Sequence, residues 1–545
     1  MRFDKCGGQC PPYAIEPGPC CTALRTPARI RYDRHWFPQG YAMSFFSKLV
    51  RHKTVEQLQA EVGTRGDFRR VLGLWQLTAI GIGGIIGVGI FVLAGQQAAT
   101  NAGPAVALSF IIAGLGSACA ALCYAEFAGL IPVTGSAYTY GYAVLGEFVA
   151  WIIGWDLLLE YALVVAVVAI GWSGYVQVLL TSAGVHLPEW AQQSMSAQTM
   201  QYYLQQLFGL HGATAIGGPS DGHRFNVIAA AVSVAVAVLL TVRTEWGARF
   251  NTVVVAIKVI GVLLVVGVGV FYINTANWHP FIPARIVDAT TGIGHFGWQG
   301  VLTGASVVFF AVFGYDTLTT AAEESKHPQR DLPRAVLLSL AIAMVLYIAV
   351  SLVLTGIVPY GTLGGEASVS NAFESIGLHW LSIIIAVAAV IGVTSVLFAF
   401  MLGAARIWFA LARDGLLPTW FAKISPRFGT PARPTIILGL FTALVAGLLP
   451  IGEVAELVNI GTLSAFIIIC GSIMLLRVRR PDLQRNFRTP AVWFTAPLGI
   501  VFSAVLIYGL PWITYERFII WMAIGCVIYF AYGIRHSKMA LAGDA

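Results

Sequence analysis

Gly81-Ile-Gly83-Gly84-Ile-Ile-Gly87-Val-Gly89-Ile-Phe91 sits inside a run of apolar residues of the length needed to cross a bilayer. Five glycines fall within nine residues, and each costs a helix about 1 kcal/mol relative to alanine. Close packing through Gly83-x-x-x-Gly87 accounts for two or three of them. A locally unwound segment accounts for all five. Bare backbone is tolerated at membrane depth only where it lines a cavity or is buried in protein. A second interruption follows downstream, where Phe309-Phe310-Ala311-Val312-Phe313-Gly314-Tyr315-Asp316 places a glycine and an ionisable residue in another apolar run.

These interruptions belong to the first and sixth of twelve expected spans. Their approximate limits are 74–98, 105–127, 147–172, 226–243, 252–273, 299–321, 335–357, 381–403, 435–450, 455–476, 493–511 and 518–533. Composition agrees with a polytopic membrane protein. Of 545 residues only 33 are Lys or Arg and 26 Asp or Glu, so 11% are charged, against roughly 25% in a soluble domain. The apolar share is 57%. A soluble fold, disorder, collagen and a disulfide scaffold are all excluded.

The net charge of +7 reports topology before it suggests nucleic acid, which is not expected as a partner. Of the basic residues, 29 fall on the side of both termini, and only Arg224, Arg285 and Arg517 fall opposite. Both termini are expected in the cytoplasm, with the chain multi-pass in the cytoplasmic membrane. Residues 1–71 read as a cytoplasmic segment, 72–535 as the membrane domain and 536–545 as a cytoplasmic tail. Within the first, 1–42 is Pro- and Cys-rich and aperiodic, and Met43 reads as an alternative start. Cys6, Cys10, Cys20 and Cys21 lack the spacing of a zinc site, and no metal or cofactor is expected.

Paired discontinuous helices at matching positions of two five-span halves point to a transporter's midplane site. Half-helix N-termini offer N–H groups and positive dipole to a carboxylate, and unwound carbonyls accept from an ammonium. A zwitterionic amino acid supplies both groups. One basic residue, Lys258, is left inside a span, with five apolar residues before it and nine after. A charge there costs about 2.5–3.5 kcal/mol even on the lenient scale. A buried ammonium can shed that cost by releasing its proton, so Lys258 reads as a proton-coupling residue or as a structural brace of the broken helix. Asp156 and Glu160, four apart on one helix face, suggest a charge pair or a wet vestibule. Thr394 and Ser395 are expected to hydrogen-bond Lys258. Glu126 is expected to contact the inner loops.

Several motifs carry a family resemblance: Gly103-Pro-Ala-Val-Ala, Ala121-Leu-Cys-Tyr-Ala-Glu126, Gly135-Ser-Ala-Tyr-Thr-Tyr, Gly154-Trp-Asp-Leu-Leu-Leu-Glu-Tyr161, Ala322-Glu-Glu-Ser-Lys-His-Pro-Gln-Arg-Asp331, Ala412-Arg-Asp-Gly-Leu-Leu-Pro418 and Phe487-Arg-Thr-Pro490. Over about residues 70–535 the chain resembles a bacterial member of the cationic amino acid transporter family, within the amino acid–polyamine–organocation permeases. The resemblance implies an all-α fold of twelve transmembrane helices, built as a five-plus-five inverted repeat of the leucine-transporter type with two helices appended.

It also implies a substrate site at Ile85, Val88, Gly89, Phe310, Ala311 and Phe313. The Val88 and Gly89 amides would hold the carboxylate, and carbonyls of Ile85, Phe310, Ala311 and Phe313 the ammonium. Phe310 would gate the substrate, and Asp316 would serve as a gate residue or a helix cap. Val88 stands where many relatives have a small or hydroxyl residue. A lysine at position 258 would take the place of a sodium ion in sodium-driven relatives. The expected activity is secondary active amino acid transport by alternating access, through proton symport or exchange. Sodium symport and a non-transporting sensor are the alternatives, and no enzyme motif is present. A small partner subunit is left open.

Overall fold

The structure, a computed structural model, describes residues 49, 51–52, 72–131, 136–195, 199, 224–242, 248–287, 294–425 and 430–539. By its contacts the chain divides after Phe45, and the elements below all belong to the unit Phe46–Ala545. The four N-terminal cysteines and most of the segment 1–71 lie outside the described residues.

The first interrupted span is α1 (Leu74–Ile85) followed by α2, whose turns run Gly89–Leu93, Ala94–Gln97 and Ala98–Ala102. Then come α3 (Val106–Leu130), α4 (Ser136–Val144), α5 (Glu147–Ser182), α6 (Val227–Val242) and α7 (Ala248–Gly269). The second interrupted span is α8 (Gly297–Val312) and the 3-10 helix α9 (Tyr315–Glu324). After it come α10 (Pro328–Ile357), α11 (Ser368–Ser375), α12 (His379–Arg413), α13 (Ala432–Leu448), α14 (Ile451–Arg479), α15 (Val492–Tyr508) and α16 (Trp512–Ile528). A two-residue strand pair, β1 (Ile286–Val287) against β2 (Gly294–His295), is the one departure from an all-helical chain among the described residues.

Eight helical stretches are long and apolar enough to cross a membrane, and four shorter apolar helices accompany them: α1, α6, α13 and α15. Their burial separates centre from rim. In the most apolar window of 297–319, 89% is buried in protein, against 17% for 512–536. The span that carries the second break is the most buried of these eight. The closest packing pairs α5 with α12, α3 with α10 and α6 with α13. Glu126, at the end of α3, is buried and takes two hydrogen bonds from Arg477 and one from the Thr489 amide. It thereby pins the connection between α14 and α15.

The first break is shorter than its glycine content suggests. Helix persists through Ile85, Ile86 is extended (φ −72°, ψ 106°), and winding resumes at Gly89. No glycine of the run has a positive φ. Most of them permit close approach instead. A Cβ on Gly81 would lie 2.6 Å from Ser339 Oγ, and one on Gly89 would run into Ala311. The expectation that unwinding explains all five is therefore corrected: the break itself needs only residues 86–88.

The second break does use a glycine's freedom. Phe313 is extended and Gly314 adopts φ 109°, a region that L side chains avoid. Gly314 also faces Gly84 backbone to backbone. A Cβ on Gly314 would sit 2.7 Å from the Gly84 carbonyl oxygen, and one on Gly84 equally close to the Gly314 oxygen. The two breaks meet at this pair.

A strap between α10 and α12 closes over α2. Ser368 donates to the Val92 carbonyl at 3.2 Å. Glu366 lies against Gly174 of α5, with Ser173 Oγ at 3.4 Å from its carboxylate. Asn226, at the start of α6, donates to the same Ser173 hydroxyl at 2.7 Å. Burial pushes the Glu366 carboxyl up to about 8.

Gly314→Ala should lower stability by at least ~1–2 kcal/mol from backbone strain alone. Gly471→Ala in α14, where a Cβ meets nothing within 4 Å, should be neutral or gain up to about 1 kcal/mol. Thermal unfolding in detergent compares them; equal melting temperatures would contradict the contact. Because Glu366 binds its proton more tightly when folded, its contribution is full below the unfolded value and is lost as pH rises through about 8. Melting temperature should therefore fall from about pH 5 to about pH 8, and Glu366→Gln should flatten that fall. An unchanged slope in the variant counts against this assignment.

Candidate functional site

Where the breaks meet, a small cavity opens. One side is formed by residues of the first interrupted span: Gly84, Ile85, Gly87, Val88 and Gly89. The other is a wall of side chains: Val164 and Val168 of α5, Phe310 and Phe313 at the second break, and Val396 and Phe400 of α12. Of the residues expected here, Ile85, Val88, Gly89, Phe310 and Phe313 all line the cavity. Ala311 does not; it fills the space a Cβ on Gly89 would need. The Val88 side chain packs over Gly171 of α5, where a Cβ would come within 2.6 Å of it.

Lys258 of α7 is wholly buried and reaches the first break. Its Nζ donates to the Gly83 carbonyl at 2.7 Å, the Ile86 carbonyl at 3.0 Å and Ser395 Oγ at 3.2 Å. An ammonium has three N–H bonds, and each has an acceptor here. Gly392 of α12 lets the lysine stem pass, since a Cβ there would lie 2.6 Å from the lysine Cβ. Thr394 takes no part. It bonds Trp172 Nε1 and the Val390 carbonyl, because one residue of helical rotation turns it from α7 toward α5.

Two more carbonyls of the first interrupted span are also taken. Tyr347 of α10 donates to Ile85 at 2.7 Å, and Tyr175 of α5 to Phe91 at 2.6 Å. The Ile85 oxygen assigned to a substrate ammonium is thus already engaged by a phenol, leaving one lone pair. Below Phe400, Tyr161 packs edge-on against its ring and donates to the Asp316 carboxylate. Asp156 and Glu160 are buried nearby, and no cation pairs with either among the described residues. Their expected charge pair is not found: Asp156 Oδ1 lies where a Cβ on Gly461 would be, and Thr462 is the partner of Glu160.

Two meeting breaks, braced by a buried lysine and walled by apolar side chains, form the candidate site. Residues 72–531 match the family described as amino acid permease. The chain belongs to that family. The permease is 40% identical to the branched-chain amino acid permease BcaP of Bacillus subtilis, over 90% of this chain and 99% of the relative. It is equally, 40%, identical to the methylthioribose transporter of the same organism, with the same coverage. Cationic amino acid transporter 4 of Homo sapiens shares 34% identity over 79% of this chain and 63% of its own length. The resemblance carried by the motifs holds, and the chain is a transporter of the membrane, as its apolar helices require.

Tyr347, Tyr175 and Ser368 escaped the sequence reading. The signal was there for the tyrosines: a phenol in mid-span must find an acceptor, since no water is available.

Tyr347→Phe in this permease should cost about 1 kcal/mol of stability by freeing the Ile85 carbonyl. It should also alter substrate affinity, since Ile85 lines the cavity. Melting temperature and ligand-induced thermal shift measure the two effects. An unchanged value of both would remove the tyrosine from the site.

Proposed function

We propose that this permease is a secondary active transporter that carries amino acids by alternating access, coupled to protons by symport or working by exchange. The observation that carries the reading is the three-way engagement of Lys258 Nζ with the broken first span and α12. The substrate carboxylate would meet the Val88 and Gly89 amides. Its ammonium would meet carbonyls of Ile85, Phe310, Ala311 and Phe313, with Phe310 as the gate.

Twelve spans in a five-plus-five inverted repeat are supported by the packing, in which positional equivalents associate: α3 with α10, α5 with α12, and α6 with α13. The two broken spans meet in the same way. Both termini would lie in the cytoplasm, the side favoured by the asymmetry of basic residues.

Lys258 couples proton and substrate as follows. As an ammonium it satisfies three acceptors and holds the break in one shape. After losing a proton it has two N–H bonds, and one acceptor on the break or on Ser395 is left without a donor. That imbalance favours rearrangement of the first span, so protonation and gating become linked. Asp316, held by Tyr161, would move with the second break as a gate residue. Sodium coupling is the less favoured alternative, because a fixed ammonium repels a cation at this position. A sensor would bind without transporting.

Purified protein in vesicles should accumulate labelled amino acid under an imposed acid-outside gradient and without sodium. Lys258→Met should lose most gradient-driven accumulation, at least about tenfold, while substrate-induced thermal shift persists. A sodium requirement together with indifference to pH would overturn proton coupling. Binding without counterflow would favour the sensor.

A further inference from the structure

We propose that the cavity selects a compact aliphatic amino acid, and that Val164, Val168, Val396 and Phe400 are the residues that set this choice. The inference rests on the amino acid transporter reading and names its substrate class. Relatives do not settle the class, since two that are equally similar bear names with unlike cargo, a branched-chain amino acid and methylthioribose.

The lining decides instead. Every polar group that faces the cavity belongs to the backbone, and the six side chains of the facing wall are all valine or phenylalanine. The backbone groups serve what amino acids share, so the wall receives the side chain. A lysine or arginine side chain would bury its charge there without a partner, which costs far more than an apolar surface returns. The nearby carboxylate does not help. Asp316 is bonded to Tyr161, and the Phe400 ring packs between that tyrosine and Phe313. The hydroxyls of a sugar would be equally stranded, since no side chain of the wall carries a hydrogen-bonding atom.

The stiffness of the wall narrows the class further. Three of the four wall residues named are valine, whose branched Cβ is confined to few rotamers. The wall is therefore stiff, and it does not fold aside for an indole or a guanidinium.

Purified wild-type protein should be assayed by counterflow of labelled leucine against unlabelled valine, isoleucine, leucine, phenylalanine, lysine, arginine, glutamate and methylthioribose. Thermal shift with the same compounds runs in parallel. Valine, isoleucine and leucine should compete at least about tenfold better than lysine, arginine, glutamate or the sugar. Val168→Ala and Val396→Ala, each checked by melting temperature, should shift preference toward phenylalanine over valine by about tenfold. Lysine competing as well as leucine would overturn the aliphatic class and leave amino acid transport standing. Methylthioribose acting while every amino acid fails would overturn both readings. Alanine variants that stay folded and leave the ranking unchanged would remove these valines as selectors.

Discussion

The hydrogen bonds from Lys258 to the Gly83 and Ile86 carbonyls are the constraint on which the rest of the site depends. A bilayer core has no water to satisfy a carbonyl left open by a broken helix, and each open group costs several kcal/mol. This chain answers with side chains from separate elements. Lys258 comes from α7, Tyr347 from α10, Tyr175 from α5 and Ser368 from the strap. A stretch of ten residues, 83–92, thereby fixes the register of four other elements. The break is a hub of the fold as well as a gap in a helix.

This arrangement separates two tasks that most binding sites combine. In the proposed site, backbone would address the charged ends that amino acids share, while valine and phenylalanine would address the part that varies. Ionisable side chains are kept one layer away. Asp316 is masked by Tyr161, and Phe400 intervenes between that pair and the cavity wall. Such layering keeps the local field at the cavity close to that of the backbone dipoles and Lys258 alone.

Much of this was legible in the residues. Apolar blocks and scarce charge gave the membrane class, and Gly314 marked the second break because few other residues accept φ 109°. Lys258 stood out as the one basic residue that topology could not place. The glycines of the first break were harder to interpret, since close packing and unwinding draw on the same residue type and only the facing surfaces distinguish them. Thr394 and Ser395 show a similar limit. Adjacent residues on a helix differ by about 100°, and sequence alone did not say which of the two faced α7. Tyr347 was missed because a tyrosine in an apolar run reads as bulk until its hydroxyl is given a partner. Asp156 and Glu160 were legible as unusual; of the two accommodations expected, the charge pair is not found among the described residues, where the carboxylates sit beside a hydroxyl and bare backbone.

The contact between Gly84 and Gly314 also bears on how such a protein can change over generations. A Cβ at either glycine would press on the carbonyl of the other, so the same separation of the two breaks would relieve a side chain at either position. Once one had been replaced and the backbones had drawn apart, a side chain at Gly84 would meet less resistance than before. Couplings of this kind arise between residues in contact and fade with distance. The two positions, 230 residues apart in the chain, therefore form a single mutational unit. A lineage that crosses this barrier once meets a lower step at Gly84 and a steep path back.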